Sequence, residues 1–191
     1  MPCGLTQIKK VLQLKNEVVK AYLENSKIVI SDKDSAQHFF EKYFIGILND
    51  EQNVLELQLE EALFLLDTGK IRLIDKTRNS DVSMKTLLTE KIKNANIWEN
   101  YIIYYDLRSR GYVVRKGISE EIIYTVYPRG TKPYTAPPKF YVAKLVEGKP
   151  LSLYTLRKIT QSAKASEKKL VIAVIDRQGD VTYYKVSPMP L

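Results

Sequence analysis

The stretch LVIAVID at 170–176 constrains this chain more than any other. Six consecutive aliphatic residues, with no polar residue among them, predict a central strand covered on both faces. DRQGD (176–180) then has the residues of a tight turn, and VTYYKV (181–186) reads as the next strand, with SPMPL as a tail. Upstream, YVVRKG, IIYTVY and KFYVAKL predict three successive strands. SLYTLRKITQSAKASEKK (152–169) predicts a helix with Leu153, Leu156, Ile159, Ala163 and Ser166 facing inward. This order of strands, helix and strands gives a small α/β domain with a mixed sheet.

The first half has its own pattern. VVKAYLENSKIVIS (18–31) reads as two strands about a turn at 24–26. DKDSAQHFFEKYFIG (32–46) predicts a capped amphipathic helix that presents Phe39, Phe40, Tyr43 and Phe44 on one face and is ended by Gly46. VLELQL is a strand, LEEALFLLDTGK a helix with Gly69 just past its end, and IRLID a strand. KTRNSDVS (76–83) is polar and is the best linker candidate. A helical pattern runs from Met84 to the break at Gly111, interrupted near 94–96. The expected organisation is a small α/β domain over 1–95 and a second over 96–191, an α/β (α+β) fold overall.

Charge separates the halves. Residues 1–95 hold 14 basic and 14 acidic side chains, whereas 96–191 hold 16 basic and 8 acidic, so the whole net charge of +8 lies in the second half. Eleven of the 13 tyrosines lie there too. Basic charge attracts polyanions and aromatic faces stack on unpaired bases, so this half points to a nucleic-acid partner. A basic surface around a tyrosine-rich core is the plainer alternative. No apolar run approaches the roughly 20 residues of a membrane span, and MPCGLTQIKK lacks the apolar core of a signal peptide. The one cysteine, Cys3, rules out an intramolecular disulfide and a cysteine-based zinc cluster and is read as an inert thiol; a cytoplasmic location is expected. The one histidine, His38, lies in the first half and has no second histidine or cysteine cluster with which to bind metal.

Three segments, taken in order, carry a resemblance: DLRSRGYVVRKG (106–117), VYPRG (126–130) and KKLVIAVIDRQGDVTYYKV (168–186). They resemble the C-terminal domain of archaeal tRNA-splicing endonuclease subunits. FFEKYFIG, VLELQL and LEEALFLLDTGKIRL resemble the N-terminal domain of that family in the expected order, so the likeness covers roughly residues 18–187. The resemblance implies metal-free cleavage of precursor tRNA at a bulge-helix-bulge, with a 2′,3′-cyclic phosphate and a 5′-hydroxyl as products and no cofactor. The nucleophile is the adjacent 2′-hydroxyl, so the reaction needs a base, an acid for the leaving 5′ oxygen and a cation for the phosphorane. Catalytic members use a tyrosine, a histidine and a lysine. The tyrosine matches Tyr127 and the lysine Lys168. The histidine position, ten residues after the tyrosine, is Pro137 between Ala136 and Pro138, none of which can move a proton. An arginine that clamps a bulged base in the family is replaced by Gln161. Tyr127 and Lys168 are therefore either remnants that still touch RNA or, more plainly, a strand-end tyrosine and a solvated lysine at the end of a helix.

The resemblance also gives the DRQGD turn a role. In heteromeric members an acidic loop between the last strands inserts into a basic cleft of the opposing subunit; Asp176, Gly179 and Asp180 match it, with Arg177 and Gln178 making it less acidic. A plain hairpin turn is the alternative. The reading that results is a structural subunit in a heterotetramer with two copies of a catalytic partner, with Arg129, Lys132 and Lys139 as candidates for contact with tRNA phosphates. Two rivals stay open: a competent endonuclease using Tyr127 and Lys168 with another third group, and a free-standing RNA-binding protein.

Overall fold

A computed structural model describes residues 18–49, 54–91, 96–133 and 135–187. Cys3, most of the SPMPL tail and the expected helix interruption at 94–95 lie outside those residues. The chain divides into two compact units, Met1–Lys93 and Asn94–Leu191.

In the first unit a six-stranded mixed sheet has the order β3-β4-β2-β1-β5-β6. Strands β1 (Val19–Glu24) and β2 (Lys27–Ile30) form a hairpin. Asn25 and Ser26 both take positive φ, 48° and 67°, as a two-residue turn matched to strand twist requires. Helix α1 (Lys33–His38) starts where the Asp32 carboxylate accepts the Ser35 N–H at 2.9 Å. It then widens into a π-helical turn, Phe39–Tyr43, and stops at Phe44 in the left-handed region. The helix is thus capped two residues before Gly46, its expected end, and the expected four-residue apolar face is broken. The wider turn rotates the side chains out of α-helical register, so Phe39 is buried while Phe40, Tyr43 and Phe44 remain partly exposed. Strands β3 (Ile47–Asn49) and β4 (Val54–Leu57) follow, and helix α2 (Leu59–Asp67) opens with a capping box between Gln58 and Glu61. Gly69, at φ +64°, sits just past the C-cap Thr68 as expected, and the Lys70 N–H donates back to the Leu65 carbonyl.

Strand β5 (Ile71–Asp75) pairs with β1 in parallel. KTRNSDVS is not a linker: within it lies β6 (Ser80–Asp81), an antiparallel partner of β5. The Asp75 carboxylate accepts the Thr77 and Arg78 N–H groups across the turn. The polarity of the stretch serves a hairpin, and helix α3 (Met84–Lys91) completes the unit.

The second unit carries helix α4 (Asn96–Ser109) and strands β7 (Val113–Lys116), β8 (Ile122–Tyr127) and β9 (Phe140–Val146), followed by α5 (Leu153–Ala165), β10 (Lys169–Ile175) and β11 (Val181–Val186). Its sheet order is β11-β10-β9-β8-β7, with only β9 and β10 parallel. Helix α5 makes that crossover and packs Ile159 and Ala163 onto Ile122, Tyr141, Ala143 and Leu170. The LVIAVID strand is therefore flanked on both sides but next to the edge rather than central. Its coverage is incomplete: Leu170, Ala173 and Ile175 are buried, whereas Val171, Ile172 and Val174 are partly exposed. Leu153, expected to face inward, is 84% exposed as the first helical residue after the Ser152 cap. The helix also ends earlier than expected, at Ala165, because Glu167 turns to φ 55° and the Lys168 N–H closes onto the Ala163 carbonyl at 2.8 Å.

Helix α4 covers the opposite face. The Tyr124 hydroxyl donates to the Asn100 carbonyl, and Lys144 and Lys149 both reach the Glu99 carboxylate at 2.7 and 2.6 Å. Burial opposes ionisation of Glu99, but the hydrogen bonds from the two lysines outweigh it and hold its pKa below the usual range.

Candidate functional site

The sheet register places the matched residues. Val126, Phe140 and Lys169 form one cross-strand row. The Lys139 N–H donates to the Val126 carbonyl and the Lys169 N–H to the Lys139 carbonyl. Tyr127, Lys139 and Lys168 therefore stand one position beyond that row, at one end of the sheet. Tyr127 and Lys168 lie two strands apart, roughly 10 Å between backbones. Both are half-buried. Lys168 belongs to the connection between α5 and β10, so it is not the helix-end lysine expected from sequence.

Between β8 and β9 two short-range backbone hydrogen bonds fold the described residues back. The Thr131 N–H donates to the Pro128 carbonyl and the Thr135 N–H to the Lys132 carbonyl. Pro137 is exposed on this segment. Thr135, Ala136, Pro137 and Pro138 offer no side chain that titrates near neutrality. Arg129, Lys132 and Lys139 are all exposed. The Arg129 guanidinium lies over the Tyr112 ring at 5.1 Å, and the Lys139 ammonium is 5.8 Å from the Phe140 ring. Gln161 is exposed on α5. What remains is a row with a tyrosine, two lysines and a stacked arginine: it can attract and hold a polyanion, but 135–138 give it no general acid or base.

The DRQGD turn lies at the other end of β10, about 25 Å from Lys168 along the strand. Its two aspartates differ. The Asp176 carboxylate accepts the Gln178 and Asp180 N–H groups at 2.8 and 2.9 Å, and its backbone bonds Asp180 and Gly179. It builds the turn. Asp180 is exposed. Gly179, at φ +90°, takes a conformation that favours glycine. Arg177 turns to Glu147, with its N–H 3.2 Å and its guanidinium 3.5 Å from that carboxylate.

Sequence reasoning missed the anchors of this end of the sheet. The Tyr183 hydroxyl donates to Asp106 at 2.8 Å, and Arg110 binds the same carboxylate at 2.8 Å. Burial, and then the hydrogen bond to Asp106, push the Tyr183 pKa well above its ordinary value. Asp106, Arg110 and Tyr112 all lie within the quoted DLRSRGY segment. The spacing of Asp106 and Arg110, four apart where α4 ends, is the sequence signal for this pair. On α5, Lys158 holds Glu121 at 2.6 Å and lowers its pKa to about 2.

His38 closes α1 in the first unit, its ring 5.5 Å from that of Tyr43. Among the described residues no group of three or more His, Cys, Asp or Glu side chains could hold a metal ion, and no helix is long and apolar enough to cross a membrane.

The model of the tRNA intron endonuclease N-terminal domain matches residues 19–87, and that of the tRNA intron endonuclease catalytic C-terminal domain matches 97–183. A Methanococcus vannielii tRNA-splicing endonuclease is 30% identical over 176 residues, 92% of this chain and 97% of the relative. This chain belongs to the tRNA-splicing endonuclease family. The enzyme of that name from Methanothermobacter thermautotrophicus is 28% identical over 88% of this chain and 96% of its own. The Methanosarcina acetivorans enzyme is 30% identical over 88% of this chain, but the chain spans only 46% of that relative, about half its length. The two matched regions follow the two units, so the row containing Tyr127 and Lys168 lies in the region that resembles the family's catalytic domain.

Proposed function

We propose that this chain is the structural, non-catalytic subunit of a heterotetrameric tRNA-splicing endonuclease, paired with two copies of a catalytic subunit that cuts precursor tRNA at bulge-helix-bulge motifs. The observation that carries this reading is Pro137. The segment where a proton-transfer group would stand offers two prolines and an alanine beside Tyr127 and Lys168, and the sole histidine belongs to the other unit. An uncatalysed 2′-hydroxyl is a poor nucleophile at neutral pH, so this row lacks a group that the cleavage chemistry needs.

The other features supply supporting roles. Asp180, exposed on a turn that Asp176 holds rigid, is the side chain that would enter a basic cleft on the partner. The turn sits at the far end of β10 from this chain's own Tyr127 row, so it acts on a neighbour and not on that row. Edge strand β11, with Tyr184 56% exposed and Leu153 and Tyr154 exposed on α5, would provide the pairing surface. Arg129, Lys132 and Lys139 would hold tRNA phosphates, making binding salt-dependent.

One assay tests the proposal. The purified chain is incubated with a bulge-helix-bulge RNA, alone and with a histidine-bearing family member from the same source. Cleavage is expected only with the partner. Cleavage by the chain alone would make it a competent enzyme, and RNA binding with no cleavage in either case would make it a free-standing RNA-binding protein.

A further inference from the structure

The first unit is electrically neutral overall, yet at one point on it a lysine and the sole histidine meet on an aromatic ring. The Lys70 ammonium lies over the Tyr43 ring, 4.8 Å from its centre, and donates to its hydroxyl at 3.4 Å. The His38 ring meets that of Tyr43 edge-on at 5.5 Å. Two helix ends produce this meeting. Lys70 is fixed by the cap that closes α2, directly after Gly69. His38, Lys42 and Tyr43 share a face because the π-helical turn returns to the same side after four to five residues instead of three to four.

That turn is costly. Phe44, a bulky aromatic, is held at φ 53°, a region such residues avoid, and π turns and left-handed residues of this kind gather at functional sites. The charges that act on His38 are Lys42 from its own segment and Lys70 from the α2–β5 junction; with burial as the larger cause, they hold its imidazole below its ordinary pKa. Glu41, the carboxylate of the same turn, is hydrogen-bonded by Gln37 at 2.9 Å. Two lysine charges thus act on one imidazole beside a strained backbone, and an incoming anion would offset them.

We infer that His38, Lys42, Tyr43 and Lys70 form an anion-binding site for the phosphodiester backbone of RNA, on the unit that carries no excess basic charge. The inference rests on the proposed RNA partner, since an RNA backbone supplies phosphates along its whole length and reaches beyond the cleavage point. The aromatic ring supports the choice of RNA, because a base or ribose beside the phosphate can pack on it. The site binds and orients and carries out no chemistry.

His38 is the only histidine in the chain, so its imidazole signals in a carbon-edited NMR spectrum of the labelled full-length protein are unambiguous. The pH titration of those signals is followed without ligand, with a bulge-helix-bulge RNA, and with an acidic decapeptide. RNA is expected to raise the midpoint of the His38 titration by about one pH unit, since an opposite charge a few ångströms away favours the imidazolium. The peptide is expected to leave it in place. In parallel, Lys70→Gln and the exposed Lys42→Gln should each flatten the salt dependence of RNA affinity by about one in log–log slope. RNA that binds the chain while His38 keeps its midpoint and both variants keep the wild-type slope would overturn the site and leave the proposed subunit role standing. A response to the peptide alone would replace RNA with a protein partner. Failure of the two-subunit cleavage assay with the His38 response intact would remove the subunit role and keep the site.

Discussion

Tyrosine and lysine are placed near one another twice in this molecule, once across two strands and once in contact, and the two settings are built differently. In the second unit Tyr127 and Lys168 are set by sheet register, two strands apart, and residues 135–138 offer no acid–base side chain. In the first unit Tyr43 and Lys70 are in direct contact, with the sole histidine against them, but on strained turns and outside the region that matches the catalytic domain. The same residue types thus stand in two different physical settings. A tyrosine, a histidine and a lysine lie together where the family's chemistry is not expected, and the expected place lacks one of the three.

The sharpest way to break the first setting is at Gly46. It has φ +77°, and a Cβ built there would lie 2.6 Å from Cγ of the fully buried Leu55. Gly46→Ala adds a left-handed penalty to overpacking of the core and is expected to destabilise the first unit by roughly 2–5 kcal/mol. Chemical denaturation followed by hydrogen exchange should show β3, β4 and the Phe39–Tyr43 turn losing protection while β8–β10 retain theirs. Equal loss in both units would mean that the two do not unfold separately.

The second unit can be probed through its two aspartates. Asp176→Ala removes an acceptor of two backbone N–H groups and should cost about 1–2 kcal/mol of stability in this exposed turn. Asp180→Ala should change stability by less than about 0.5 kcal/mol. If Asp180 docks in a partner, however, the tetramer should dissociate to dimers about 30-fold more readily, as for a central interface residue. Light scattering across a dilution series separates these effects. An unchanged mass for the assembled Asp180→Ala protein would return DRQGD to a plain hairpin turn.

Much of this was legible in the sequence because local chemistry dictated it. The Asn25–Ser26 turn, the Asp32 cap and Gly69 each satisfy a backbone demand that short motifs record, whereas the Gln58–Glu61 box is hidden because Gln58 reads as the end of the strand VLELQL. What failed depended on distant neighbours. The π turn at Phe39–Tyr43 reads as ordinary helix because one extra residue in a turn barely changes the apolar spacing. Leu153 fits the inward periodicity of α5 but precedes the part of the helix that packs on the sheet. KTRNSDVS reads as a linker because a two-residue strand leaves almost no periodic signal. At the candidate site, position 137 could be read directly, whereas the stacking of Arg129 on Tyr112 and the Asp106–Arg110–Tyr183 cluster required β7, β11 and α4 to be brought together.

The smallest expected effect is the most decisive for the comparison. Lys168→Ala should alter the turnover of the assembled enzyme by less than about 2-fold, which corresponds to roughly 0.4 kcal/mol. Lys168 is half-buried beside β10, and the backbone bond that fixes its position, from its N–H to the Ala163 carbonyl, survives truncation of the side chain. Folding should therefore be preserved, and any loss of rate would be chemical. A lysine that stabilises a phosphorane typically costs about 100-fold or more when removed. Single-turnover cleavage with saturating partner distinguishes the two results without interference from RNA affinity. A 100-fold loss would place the Tyr127–Lys168 row in the reacting site, with a proton carrier supplied from outside 135–138, and this chain would then be the catalytic subunit.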